Sequence, residues 1–193
     1  MALRDRVALG AVVLVVVLAG CSLGSIGPAD SGNASTPDAM TVKIHAVEDG
    51  DTYWFKNESG DSVGIRLLGV DTPEVRGSNY PEEYEGIPDT DAGKEWLYRW
   101  GKHSKNVTSE RLVGKTVRLE FDSRLPTRDY YGRLVAYVYL NGTLVNRELL
   151  EAGHARVYPV DFEKKESFER AEAEARAANR GVWNISNGTV SDG

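Results

Sequence analysis

Alternating hydrophobic and polar residues predict a run of short β-strands in the middle of the chain. Val42, Ile44 and Ala46 alternate with polar neighbours, and this period of two indicates a strand with one buried face. His45, one of those neighbours, is expected to face solvent. The pattern predicts five strands: one beginning near Met40, then Thr52–Lys56, Val63–Val70, Thr116–Phe121 and Arg133–Leu140.

Three helices are predicted between and after these strands. Residues 92–112 carry a rough apolar stripe, although Gly101 weakens it. Residues 145–152 form a short helix closed by a glycine, and residues 168–178 space their small and apolar side chains by three and four. The prolines and acidic residues of segment 81–91 favour a solvated loop. The mixture of strands and helices predicts an α+β domain.

The N-terminal segment predicts export and a lipid anchor. Arg4 and Arg6 precede an apolar run from Val7 to Ala19, which fits a signal-peptide core better than a membrane span. The run ends in Leu-Ala-Gly-Cys21, which resembles a prokaryotic lipobox, so Cys21 is the expected lipidation site. An incidental Cys21 in an uncleaved anchor is the alternative. In either case the domain lies outside the cytoplasm, anchored to the outer face of the membrane or secreted. Finding residues 1–20 on the mature protein would contradict lipobox processing.

Composition divides the 193 residues into one domain with flexible ends. The expected parts are a signal peptide (1–20), a lipidated cysteine with a Ser-, Gly- and Pro-rich tether (21–39), a folded domain (40–183) and a frayed tail (184–193). Because the chain has a single cysteine, an internal disulfide framework is excluded. The domain is expected to be a monomer.

Candidate chemistry is concentrated between the second strand and the end of the third. Asp51, Asp71 and Glu74 place carboxylates near strand ends, and Arg66 supplies a guanidinium. Neither aspartate is expected to lie in the core. Oxygen-rich groups of this kind suit Ca²⁺. The alternative is a pair of ordinary aspartate-containing turns that bind no ion.

Proline at position 73 shapes the end of this segment. It biases Thr72 toward an extended conformation, in which the Thr72 carbonyl is expected to point outward. A backbone carbonyl could then add another oxygen to those of the neighbouring carboxylates.

Three sequence blocks occur together and in order. They are Asp49-Gly-Asp-Thr52, then Ile65-Arg-Leu-Leu-Gly-Val-Asp-Thr-Pro-Glu74, then Tyr131-Gly-Arg133 followed by a strand. Together they resemble the signature of the thermonuclease (staphylococcal-nuclease-like) family, over residues 41–183. The resemblance implies a five-stranded OB-fold barrel packed with about three helices.

The resemblance also implies roles for the matching residues. Asp51, Asp71 and the Thr72 carbonyl match calcium ligands, and Arg66 and Arg133 match the two arginines that grip the scissile phosphate. A divalent cation and two guanidiniums could stabilise the charge that builds on a phosphodiester under attack by water. The implied activity is calcium-dependent hydrolysis of DNA, RNA or both on the 5′ side of the phosphate, which leaves a 3′-phosphate.

Glu74 matches the residue usually described as the general base for the attacking water. A glutamate near its ordinary pKa is a weak base, so orienting the water is an alternative role. Tyr131 is a candidate to stack on the terminal nucleotide, whatever its base, or to hydrogen-bond to it, and Tyr158 is a second candidate substrate contact. Either residue could instead pack in the core or at the rim. Tyr130 stands where relatives often carry lysine, and Arg124 and Arg128 could replace that cation.

Two other functions compete with a nuclease, and the distribution of charge bears on the comparison. The chain carries −6 overall, but residues 111–133 contain six Arg/Lys and three Asp/Glu, which concentrates positive charge near the candidate site. One alternative is a non-catalytic module that binds nucleic acid or protein at the cell surface. Another is a calcium-dependent surface domain, which would leave the arginines without a role.

Overall fold

The computed structural model describes residues 38–185. The predicted signal peptide, Cys21, nearly all of the tether and the tail beyond residue 185 lie outside the described residues, and their assignments stay predictions. Ala39, which we placed in the tether, is already in a strand and pairs with Glu120. No helix in the described range is both long and apolar enough to cross a membrane.

Between residues 38 and 185 the chain forms eight strands and three helices. The strands are β1 (Ala39–Asp49), β2 (Thr52–Lys56), β3 (Ser62–Leu67), β4 (Val70–Asp71), β5 (Thr116–Glu120), β6 (Leu134–Leu140), β7 (Thr143–Leu144) and β8 (Arg156–Val157). The helices are α1 (Asp91–Leu112), α2 (Val145–Glu151) and α3 (Lys165–Ala177).

The five long strands make a closed barrel, which confirms the predicted α+β OB-fold with its three helices. Neighbouring strands follow the order β3-β2-β1-β5-β6 in antiparallel pairs, and β3 closes the sheet by pairing in parallel with β6. Closure leaves no long unpaired edge. Inside, the alternating residues predicted to be buried, such as Val42 and Ile44, join one continuous core, while His45 faces solvent as predicted.

Strand β3 is shorter than the sequence predicted. It ends at Leu67 instead of continuing to Val70, because Gly69 adopts φ of +75° and breaks the extended backbone. The chain then starts a new strand, β4, which pairs antiparallel with β8 in a separate two-stranded sheet. This break turns Asp71 out of the barrel sheet and places it opposite Arg156.

Segment 81–91 is more structured than the predicted solvated loop. Pro81–Glu83 forms one turn of 3₁₀-helix, and Tyr84 and Ile87 are buried. These two apolar side chains belong to a second hydrophobic cluster, beside the barrel core, that also contains Trp96 and Trp183. The apolar residues between the acids therefore hold the segment against α1.

Candidate active site

One cavity of about 850 Å³ opens beside the barrel, and every predicted catalytic, metal and substrate residue lines it. Its walls come from the β1–β2 turn, the end of β3, strand β4, the loop after β4, and the turn that enters β6. The three sequence blocks are therefore brought to one place. The block residues concerned are Asp51, Arg66, Asp71, Thr72, Glu74, Tyr131 and Arg133, and Tyr158 joins them from after β8.

Barrel closure brings the two arginines together. In the parallel pair of β3 and β6, Arg66 lies opposite Val135, two residues after Arg133. Arg133 reaches across to the start of β2, where its Nη1 donates to Thr52 Oγ1 at 3.3 Å. Thr52 in turn donates to Asp51 Oδ1 at 3.2 Å. A path of hydrogen bonds therefore connects Arg133 with Asp51, the ion-pair partner of Arg66.

Asp51 lies in the buried wall of the cavity, so the expectation that neither aspartate is in the core was wrong for this residue. It is 4% exposed. Burial alone would raise the pKa of Asp51, but an ion pair with Arg66 and a 2.7 Å hydrogen bond from the Thr72 amide hold that pKa below its usual value. The carboxylate tolerates burial because these partners compensate its charge.

Asp71 forms ion pairs with two arginines, and one of them, Arg156, is not indicated by the sequence pattern. Arg66 Nη2 contacts Asp71 Oδ1 at 2.6 Å, and Arg156 Nη2 contacts Oδ2 at 2.7 Å. Arg156 also contacts Glu83 Oε2 at 3.0 Å. We call Asp51, Arg66, Asp71, Arg156 and Glu83 the Arg66 cluster. Its charges alternate in sign, and only Glu83 at its end is well exposed.

Glu74 is held at the cavity by its backbone. Asn79 Oδ1 accepts from the Glu74 amide at 2.8 Å, and Asn79 Nδ2 donates to the Glu74 carbonyl at 3.0 Å. Partial burial and the charges of Asp51 and Asp71 raise the pKa of the Glu74 carboxyl above its usual value. A raised pKa makes the carboxylate a stronger base than an ordinary glutamate.

Gly101, which we interpreted as a weakness in α1, allows helix α1 to approach the loop that carries Glu74. A Cβ atom at position 101 would lie 2.5 Å from the Pro73 carbonyl oxygen and 3.0 Å from that of Glu74. Only glycine permits this contact, so Gly101 lets α1 pack directly against the backbone of the loop that carries Glu74.

The predicted tyrosines stand at the rim of the cavity, outside the core. Tyr131 is 79% exposed and Tyr158 43%. Each lies near one arginine, with Arg133 Cζ 5.4 Å from the ring centre of Tyr131 and Arg66 Cζ 6.0 Å from that of Tyr158. Neither ring is a core residue, which leaves contact with a nucleotide or packing at the rim as its role.

The cationic replacements considered for Tyr130 differ in position. Arg128 lines the cavity and donates to the Gly132 carbonyl, which fixes it to the same turn as Tyr131. Arg124 is not part of the cavity lining and lies 3.8 Å from Asp161. Only Arg128 is therefore placed to contribute to the predicted compensation.

The donor atoms present fit a cation that prefers oxygen ligands. Asp49 Oδ1 and Thr72 Oγ1 are buried and have no hydrogen-bond partner within the described residues. Burial and the neighbouring Asp51 carboxylate raise the pKa of Asp49 to about 7, a sign of unbalanced negative charge. No group of three or more His, Cys, Asp or Glu side chains in the range 38–185 forms a ready-made metal site. Water and substrate would thus have to complete the coordination.

The formal charges of the residues that line the cavity also favour the binding of a cation. Seven carboxylates and five guanidiniums line it, which leaves an excess of two negative charges when all are ionised. A phosphodiester would meet net repulsion there, and one divalent cation would cancel the excess. The arginines cannot be neutralised instead, because the carboxylates beside Arg66 raise its pKa further despite burial.

The chain resembles known proteins across this same region. Residues 64–185 match the family model described as staphylococcal nuclease homologue. The thermonuclease of Staphylococcus hyicus is 30% identical over 174 residues, which cover 89% of this chain and 92% of that protein. An uncharacterized protein of Methanocaldococcus jannaschii is 43% identical over 152 residues, which cover 75% and 72%. A prophage-derived endonuclease of Bacillus subtilis is 33% identical over 158 residues, which cover 80% and 47%.

Proposed function

The chain belongs to the staphylococcal nuclease homologue family, and from that premise we propose that it is a calcium-dependent nuclease. It hydrolyses phosphodiester bonds of DNA, RNA or both on the 5′ side of the phosphate and leaves 3′-phosphate ends. The observation that carries the proposal is the convergence of Arg66, Arg133 and Glu74 on one cavity, beside the buried carboxylate of Asp51.

The arginines bind and stabilise the phosphate. Attack by water on phosphorus adds negative charge to the phosphate oxygens, and two planar guanidiniums can each donate two parallel hydrogen bonds to those oxygens. Arg66 approaches from the end of β3, and Arg133 from the turn before β6. The arginines therefore reach the cavity from two different elements. Together they can hold the phosphate in one orientation and also compensate its negative charge.

Glu74 orients the attacking water and accepts its proton. Its backbone is fixed by Asn79, and its raised pKa favours proton acceptance. As the bond between phosphorus and the 5′ oxygen breaks, that oxygen takes up a proton from water. The following nucleotide then leaves with a free 5′-hydroxyl, and the phosphate stays on the 3′ oxygen of the preceding one.

Asp51, Asp71 and the Thr72 carbonyl would hold Ca²⁺. When bound, the ion supplies positive charge that polarises the phosphate and offsets the negative excess of the cavity. Arg66 and Arg156 hold the two aspartates in place. The Thr72 amide bonded to Asp51 and the Tyr84 hydroxyl, which donates to the Asp71 carbonyl at 3.2 Å, add to this.

The test is hydrolysis of plasmid DNA and of RNA by the purified protein with calcium, with magnesium and with a chelator. We expect cleavage with calcium, far less with magnesium, none with chelator, and 3′-phosphate at the new ends. Glu74→Gln is expected to bind substrate in calcium yet cut slowly. Equal binding with and without chelator, and no cleavage under any condition, would instead favour a non-catalytic binding module.

A further inference from the structure

Asparagine is followed two positions later by Ser or Thr far more often in this chain than chance predicts. This arrangement, Asn-X-Ser or Asn-X-Thr with X other than proline, is the sequon that accepts an N-linked sugar. The chain has 23 Ser and Thr among its 193 residues, so chance would give about one sequon for its nine asparagines, whereas it has six. They begin at Asn33, Asn57, Asn106, Asn141, Asn184 and Asn187.

The three asparagines outside the sequons have structural roles instead. Asn146 is fully buried and hydrogen-bonds to the backbone of β6. Asn79 bonds both backbone groups of Glu74. Asn179 follows α3 with φ of +50°, a left-handed conformation that asparagine tolerates better than most residues. Folding therefore explains the asparagines without a sequon.

The sequon asparagines within residues 38–185 lie on the surface. All four are exposed, and none of them lines the cavity: they are Asn57, Asn106, Asn141 and Asn184. The last of these sequons ends at residue 186, outside the described residues. A bulky group on any of the four asparagines would not be attached to the cavity wall.

The complete sequons differ in how they present the asparagine amide and the hydroxyl. In the β2–β3 turn, the Asn57 side chain is engaged, because its Oδ1 accepts from the Asp61 amide at 2.8 Å. On α1 the hydroxyl of the Asn106 sequon is hidden, because Thr108 is 2% exposed and donates to the Ser104 carbonyl at 2.8 Å. Each of these two sequons therefore lacks one free recognition group.

The β6–β7 turn presents both groups. Asn141 and Thr143 are exposed, and the Asn141 side chain makes no hydrogen bond within residues 38–185. Asn141 adopts φ of +52° and is followed by Gly142 at +84°, as in a tight hairpin turn. The turn also lies at the far end of β6 from Arg133, about 20 Å of extended strand away.

We propose that Asn141 is the principal site of N-linked glycosylation in this protein. Asn141 Nδ2 forms a bond to the anomeric carbon of an activated sugar that is joined through phosphate to a carrier. The bond between that carbon and the phosphate oxygen breaks, the phosphate leaves with the electron pair, and the amide nitrogen gives up one proton to a base. The inference depends on the export predicted from the N-terminal segment, since sequons are used in secreted proteins, and it is independent of the nuclease function.

The experiment compares the parent protein with Thr143→Ala and Thr143→Ser, each isolated from outside the membrane of the cells that naturally produce it. Thr143→Ala removes the sequon and leaves Asn141 in place, whereas glutamine at position 141 would strain the turn at its positive φ. Thr143→Ser keeps the sequon. Mass spectrometry of proteolytic peptides locates the sugar, and urea denaturation checks the fold. Asn179 is the internal control, because it is exposed and has a positive φ but no sequon.

We expect a sugar on Asn141 in the parent and in Thr143→Ser, with lower occupancy at Asn57 and Asn106 and none at Asn179. Thr143→Ala should lower the glycosylated fraction of Asn141 about tenfold or more, because the hydroxyl is part of the acceptor signal. Its turnover should equal that of the parent, since the substitution leaves every cavity residue in place.

An unmodified Asn141 in the exported protein would overturn the inference, and so would conversion of Asn141 to aspartate without a sugar. A sugar that persists in Thr143→Ala, or that is confined to Asn57 or Asn106, would also contradict it. A glycosylated protein that cleaves nothing would keep this inference and lose the nuclease, and an active enzyme without sugar would do the reverse.

Discussion

The two arginines that face the cavity are held in opposite ways. Arg66 lies inside the Arg66 cluster, contacts Asp51 and Asp71, and has a side chain only 17% exposed. Arg133 belongs to the turn at residues 128–133, which we call the tyrosine loop because Tyr130 and Tyr131 are exposed there. It pairs with Asp129 four residues earlier and lies beside the ring of Tyr131. One half of the site is therefore built from long-range buried ion pairs, and the other from local hydrogen bonds. The difference predicts that substitutions around Arg66 lower both turnover and the stability of the fold, whereas substitutions around Arg133 lower turnover with little loss of stability.

Replacing the arginines one at a time gives the largest expected effect. Arg66→Ala and Arg133→Ala should each lower turnover about 10³-fold or more, because each removes charge stabilisation from the transition state. Their effects on stability should differ. Arg66→Ala leaves two buried carboxylates short of a partner and should cost about 3–5 kcal/mol of unfolding free energy. Arg133→Ala should cost about 1 kcal/mol or less. Turnover and urea denaturation of both variants measure these effects.

Lysine variants control for the loss of charge. Lysine cannot form the two-pronged contact with phosphate, so Arg66→Lys and Arg133→Lys should recover little turnover even where they recover stability. Near-normal turnover in Arg66→Lys would mean that this residue acts only as a structural charge. Equal stability losses in the two alanine variants would contradict the contrast between the two halves.

The same contrast explains what the sequence could predict. The tyrosine loop and the strands are local, so alternation of residues and three short motifs were enough to place Arg133, Tyr131 and the barrel strands. The Arg66 cluster depends on pairs distant in sequence. Arg156 meets Asp71 only because β4 pairs with β8, and nothing in the pattern around residue 156 indicates that pairing.

Two local expectations were wrong, and a third residue has a role that its local pattern did not indicate. Asp51 appears in a turn, where carboxylates are normally exposed, but Arg66 and the Thr72 amide compensate its burial. The predicted third strand runs through Gly69, but its positive φ breaks the strand there, and Gly101 weakens the apolar stripe of α1 for a reason that lies outside the helix. At Gly101 the governing contact is with the distant backbone of Pro73, which no propensity rule takes into account.

Substitution of Arg156 tests how far the stability and activity of the Arg66 cluster depend on the arginine that links Asp71 to the exposed Glu83. Arg156→Ala leaves one oxygen of Asp71 without its guanidinium, and we expect a loss of about 2–4 kcal/mol in stability together with about tenfold lower turnover. Both carboxylates contact the same Nη2 atom of Arg156. Arg156→Lys keeps a charge that could replace this one atom, but its flexible stem does not pre-organise the ammonium there, so it should recover only part of both.

The matched control for Arg156 is Arg147→Ala. Arg147 is half exposed, and its ion pair with Glu151 lies on the surface of α2, so its loss should change stability by about 0.5 kcal/mol or less and leave turnover unchanged. Stability is measured by urea denaturation and turnover with a saturating substrate. If Arg156→Ala matched Arg147→Ala in both, Asp71 would be held by Arg66 alone.

The smallest of the expected effects is on the pH dependence of stability, and it comes from a histidine packed between the Arg66 cluster and α1. His154, two residues before Arg156, packs against His103 and Trp100 of α1, and its carbonyl accepts from the Ser104 hydroxyl at 3.2 Å. Burial, together with the charge of His103, lowers the pKa of His154 from its usual 6.5 to about 4. The folded state thus binds this proton less readily than the unfolded chain does.

Acidification should therefore weaken the fold through His154, and the window follows from these two values. Above pH 6.5 the residue is neutral in both states and has no effect on stability; between pH 6.5 and 4 the unfolded chain gains a proton that the folded protein does not. The cost reaches about 2 kcal/mol at pH 5 and levels off below pH 4. His154→Gln should remove this part of the pH dependence, whereas His45→Gln, at an exposed position, should not. Urea denaturation at pH 7 and pH 5 distinguishes them, and if both variants lost stability as the parent does, the histidine behind Arg156 would have no part in the acid response of the buried half.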